Sequence, residues 1–147
     1  MNDNFGNIFS ENPACKNTNV TFRIIGDNVI PAKVTREISI NPSRAFAKGE
    51  TYKTKIGNLR QRPTGHWSLS SETVIQQTST EIHAQYVLEK LEPKIDVIKK
   101  YIDNPTVRTS IIFWWEANDG HGGFTLSSDT LGRLCKLCND IDYQFIG

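Results

Sequence analysis

The chain has 147 residues, 37% hydrophobic and 22% charged, with three Trp, four Tyr and seven Phe, which suits one folded domain and is too much core material for a disordered chain. No stretch reaches the ~20 apolar residues that cross a bilayer, and Met1–Glu11 lacks the apolar segment of a secretory signal, so a cytoplasmic protein with no membrane role is expected. A net charge of +1 gives the whole molecule no strong pull on nucleic acid or anionic lipid.

Residues 1–19 are Asn-rich and carry little apolar periodicity, so they read as a mobile arm, with a single domain over 20–147. Val20, Phe22 and Ile24 alternate with Thr21 and Arg23 as a half-buried strand does, and Gly26-Asp27 turns the chain. Pro31 opens a short helix carrying Val34 and Ile38, which ends before Pro42. A strand interrupted by Gly49 is expected between Arg44 and Lys55, and another over His66–Leu69 after the turn Pro63-Thr64-Gly65. The basic segment lies here. Arg44, Lys48, Lys53, Lys55, Arg60 and Arg62 stand against Glu50 alone, a local +5 that leaves −4 for the remainder.

Leu88, Leu91, Ile95, Ile98 and Ile102 recur at intervals of three and four, predicting a helix over Thr80–Ile102 that kinks or divides at Pro93. Val107–Glu116 alternates strictly: Ile111, Phe113 and Trp115 share one face, while Ile112 and Trp114 share the other. Large apolar groups on both faces predict a central strand. A glycine-rich turn, a short strand at Phe124–Leu126, a helix over Asp129–Leu137 and a last strand over Ile141–Ile146 follow.

Gly65–Thr73 aligns without gaps with Gly122–Thr130, sharing Gly, Leu, Ser, Ser and Thr. Each copy reads as a strand ending in hydroxyls and a carboxylate suited to a helix start. The elements predict an α+β two-layer sandwich built from two echoing halves. Its sheet is mainly antiparallel, with helices on one face, in a ferredoxin-like or related arrangement.

Phe22-Arg23-Ile24-Ile25-Gly26-Asp27, Ile30-Pro31 with Val34-Thr35, and Pro42 followed by Ala45-Phe46 and Lys48-Gly49-Glu50 carry a family resemblance. So do Thr64-Gly65 leading into Trp67-Ser68-Leu69-Ser70-Ser71-Glu72, and Gly123-Phe124-Thr125-Leu126-Ser127. Over residues 20–147 the chain resembles the bacterial family of domain of unknown function 4279. The resemblance implies a shared fold and a bacterial cytosolic setting, and transfers no catalytic residue.

Three cysteines fit a reducing compartment, and Cys135 and Cys138, beside Leu134 and Leu137 with no second ligand pair, read as core thiols. His66 and His121 flank the two echoed motifs, with Glu72 and Asp129 downstream, and are the weak metal or proton-transfer candidates. Trp114 is the better surface candidate because Trp115 shares the face of Ile111 and Phe113; Trp67 is a second binding candidate. Phe46 and Tyr52 among the cations superficially resemble a nucleic-acid groove, but no nucleic-acid-binding signature accompanies them, and an acidic protein would use the same charges.

Phosphate-loop, serine-elbow and HExxH motifs are absent, and no cofactor is expected. The sequence therefore predicts a protein-interaction or binding module, of which an immunity-type protein is one form. It would use Trp114, Trp67, Arg44, Lys48, Arg60 and Arg62. The alternative is a small-ligand or metal-dependent enzyme with a site between the halves, near His66, Glu72 and His121.

Overall fold

Alternating apolar residues build the longest strands of the protein, whose computed structural model describes residues 11–147. The elements are β1 (Cys15–Gly26), α1 (Pro31–Ile38), β2 (Arg44–Phe46), β3 (Thr51–Lys53), β4 (Leu59–Gln61) and β5 (Gly65–Ser70). They continue with α2 (Thr80–Leu91), a 3₁₀ turn over Glu92–Lys94, α3 (Ile95–Ile102), β6 (Arg108–Ala117), α4 (Ser128–Cys135) and β7 (Asp140–Ile146). Five strands form one mixed, mainly antiparallel sheet in the order β2-β5-β1-β6-β7, in which β6 and β7 run parallel. β3 and β4 form a separate ribbon.

Val20, Phe22 and Ile24 of β1, Trp67 and Leu69 of β5, and Ile111 and Phe113 of β6 point to one side of the sheet. They meet Val34 and Ile38 of α1, Val87, Leu88 and Leu91 of α2, Ile98 of α3 and Leu134 of α4 in one core. The helices thus cover one sheet face. The break at Pro93 occurs as expected: the 3₁₀ turn separates two abutting helices, and the apolar stripe resumes after it at Ile95 and Ile98.

Several expectations change. β1 begins at Cys15, five residues upstream of the apolar alternation, because polar groups in its first half find partners: the Thr18 hydroxyl lies 2.8 Å from both Thr80 Oγ1 and the Trp114 carbonyl. The rest of the expected arm, residues 1–10, lies outside the described residues. The expected strand at Phe124–Leu126 is an extended connection without a ladder partner. Only the second copy of the echoed motif starts a helix directly, with Ser127 accepting from the Thr130 amide as the N-cap of α4. After the first copy a connection intervenes, and α2 is capped by Ser79.

Buried polar groups tie these parts together. Glu81, on α2 and 1% exposed, accepts from the Ser127 amide at 3.2 Å, the Ser127 hydroxyl at 3.0 Å and the Thr130 hydroxyl at 2.5 Å, fixing the start of α4. Ser71, directly after β5, accepts from the Val20 amide at 2.9 Å and approaches His83 Nδ1 at 2.6 Å. His83 Nε2 must donate to the Gln77 carbonyl, 2.7 Å away, so Nδ1 is the acceptor and the Ser71 hydroxyl donates to it. Both residues are buried, making this Ser–His pair a structural link closed to substrate.

Candidate binding face

The side of the sheet away from the helices is uncovered by any other element among the described residues, and strand register sets its rows. One row runs Arg44–Ser68–Arg23–Ser110–Asp140 across all five strands. Beside it run Phe46–His66–Ile25–Arg108 and Ser70–Thr21–Ile112–Asp142, then Asn19–Trp114–Gln144. Trp114 is half-buried on this face, whereas Trp115 is enclosed and stacks on Phe145 at 4.9 Å. Among the described residues no helix covers Trp114. It lies four β1 residues from the Arg23 row, about 13 Å at the rise of a strand.

At the β2 edge the basic segment folds onto aromatic rings. Phe46 stacks on His66 with ring centroids 4.9 Å apart. Arg62 lies 4.1 Å from the Phe46 centroid and 3.7 Å from that of Tyr52, while Arg44 lies 5.3 Å from Phe46. Such cation–π contacts hold guanidinium groups in place without neutralising them. Among the described residues neither Arg44 nor Arg62 pairs with a carboxylate. Lys48 differs, meeting Asp27 at 2.8 Å. Arg60 is exposed on β4 opposite Tyr52.

Between these cations and the centre of the sheet lies a shallow depression of about 490 Å³, bordered by Arg23, Arg44, His66, Ser68, Ser70 and Glu72. Burial, reinforced by Arg44, Arg23 and Arg62, pushes the His66 pKa down to about 4, so the ring is neutral at pH 7. Its Nε2 lies 2.9 Å from Ser68 Oγ. Arg23 reaches Asp142 at 3.4 Å, yet its Nε is shielded from water and has no hydrogen-bond acceptor among the described residues.

Trp67 requires correction. It lies 0% exposed on the helix side, edge-on to Phe22, and donates its indole N–H to Thr35 at 3.0 Å. Strand alternation places it with Leu69 in the core, so it cannot touch a partner. His66 and His121 do not converge: His66 pairs with Ile25 near one end of β1, while His121 sits in the exposed turn beyond Ala117, which pairs with Cys15 at the other. Ten residues of strand between those ends correspond to about 33 Å. Among the described residues no group of three or more His, Cys, Asp or Glu side chains could hold a metal ion.

The cysteine pair separates. Cys138 is buried, and that burial pushes its thiol up to about 11, whereas Cys135 is exposed on α4 and is not a core thiol. Arg23, Ser68 and Ser70 were missed as site residues, although the alternation that sends Phe22, Trp67 and Leu69 inward sends these three to the opposite face.

A sheet with its helices on one face and a polar, partly cationic opposite face defines a two-layer α+β protein with a free sheet surface. The chain belongs to the DUF4279 family, a domain of unknown function, whose model matches residues 15–145. No curated protein and no solved structure matches it. Among the described residues no helix is long and apolar enough to cross a membrane.

Proposed function

We propose that this domain is a protein-interaction module that receives an acidic partner on the open sheet face, with an immunity-type inhibitor as one concrete form. The observation that carries the reading is the presence on one sheet face of a half-buried Trp114 and of Arg44 and Arg62, two guanidinium groups held on aromatic rings without carboxylate partners among the described residues. Anchored aromatics and arginines are the side chains that dominate interface energetics, and fixed cations lose little conformational freedom on binding.

Lys53, Lys55 and Arg60, exposed on and around the β3–β4 ribbon, extend the positive field and favour fast, salt-sensitive association. The separation of His66 from His121 weighs against the enzyme alternative, which places both near one site. The test is capture of a partner from lysate of the native host. Folded Trp114→Ala should lose a protein that wild type retains, and equal capture by both would refute this use of the face.

A further inference from the structure

We infer that the depression bordered by Arg23, Arg44, His66, Ser68 and Ser70 is an oxyanion site, built to receive a carboxylate or another small group with several anionic oxygens. This deepens the reading above, because an acidic side chain of the docked partner is the natural source of such a group. Three features of the depression support it.

The Arg23 Nε donor is withdrawn from water and has no acceptor among the described residues. Buried donors normally have partners, so a small shift of the Arg23 side chain would let this donor meet a ligand acceptor in the depression that Arg23 borders. Arg44 stands on the opposite side, unpaired with any carboxylate among the described residues. Both arginines border the depression, so an anion in it would lie in the field of two guanidinium charges.

The Ser70 hydroxyl completes the set. Ser70 Oγ accepts from the Thr21 hydroxyl at 2.9 Å and from the Glu72 amide at 3.2 Å, which leaves its own proton free among the described residues to donate outward. Ser68 Oγ lies beside His66. An anion here would also relieve the repulsion that Arg44 of β2, Arg23 of β1 and Arg62 after β4 exert on a protonated His66. Glu72 at the rim opposes anion entry and favours oxygens delivered to the Arg23–Arg44 side. Proton uptake by His66 should therefore accompany binding, which strengthens as pH falls from 7 to 5.

The experiment titrates the full chain with sulfate, which stays ionised throughout, against chloride at matched ionic strength, following arginine Nε–H and histidine ring signals by NMR. The expected result is saturable perturbation centred on Arg23 and Arg44, with the His66 pKa raised by about one unit or more in sulfate. Arg44→Gln, compared with and without sulfate, should weaken binding about tenfold, while Lys99→Gln on the helix side should not. A Glu-containing peptide tests the protein-borne source: competition with sulfate assigns the site to a partner's carboxylate, and saturable sulfate binding without competition assigns it to a free small anion.

Shifts that are linear and equal in sulfate and chloride, or a His66 pKa that does not move, would overturn the site. The two readings fail separately. A captured protein lost in Trp114→Ala but unaffected by Arg44→Gln keeps the interaction module and removes the partner's carboxylate as the occupant of the depression. Saturable sulfate binding with no captured protein keeps the oxyanion site and removes the interaction module.

Discussion

Phe46 and His66 stack across β2 and β5 with 4.9 Å between ring centroids and 15° between ring planes. The stack positions a neutral imidazole among three arginines. It also gives acid stability a definite sign. His66 has a folded-state pKa of about 4, and burial lowers that of His83 as well, so at mildly acid pH the unfolded chain binds more protons than the folded one.

Stability should therefore fall as pH drops below about 6.5, the unfolded histidine value, and His66 should stop contributing to the loss near its folded value of about 4. For His66 alone the loss between pH 7 and pH 5 is about 2 kcal/mol. Urea unfolding at both pH values measures it, and His66→Gln should flatten the profile. An unchanged midpoint in wild type would contradict the burial assigned to these rings.

Trp114 should report the open face optically. Trp67 and Trp115 are both 0% exposed, whereas Trp114 is half-buried on the uncovered side of β6. Acrylamide should quench one component of the native fluorescence, and Trp114→Phe should abolish that component. Uniform shielding of all three indoles would mean that the face is covered in solution.

Ser71→Ala should destabilise the fold by about 1–3 kcal/mol by orphaning the Val20 amide and His83 Nδ1. Chemical denaturation measures the loss. Faster hydrogen exchange at Val20 would place it at the junction of β1 and the segment leading into α2.

Gly122→Ala should cost about 2–4 kcal/mol, because φ is +122° and an added Cβ would lie 2.8 Å from Trp115 Cη2 and 3.1 Å from Ala14 Cβ. Gly123→Ala, with nothing within 4 Å of its added Cβ, is the matched control. Equal melting temperatures for the two variants would contradict the packing of this turn on Trp115.

Much of the fold is legible in the sequence because its large elements obey simple periods. The stripe through Leu88, Leu91, Ile95 and Ile98 predicts α2 and α3 with their break at Pro93, and the alternation in β6 separates Trp114 from Trp115. The errors arise where tertiary partners override local pattern. Thr18 joins β1 through hydrogen bonds to Thr80 and Trp114, which no local pattern reveals. Phe124 has the alternation of a strand residue, yet it packs on Phe113 and Tyr143 while Glu81 captures the following Ser127. Trp67 was legible: the step that turns Ser68 outward turns Trp67 inward. The stacking of Arg62 between Phe46 and Tyr52 was not, because it depends on the β3–β4 ribbon folding back against β2.

The most direct test of the open face as an interaction surface is capture from native-host lysate with charge-reversal variants on opposite sides of the sheet. Arg44→Glu/Arg62→Glu alters the open face, and Lys99→Glu/Lys100→Glu alters the exposed side of α3. After circular dichroism has established that both are folded, wild type and the α3 variant should retain the same acidic protein and the open-face variant should lose it. Equal capture by all three, or loss only in the α3 variant, would contradict the assignment.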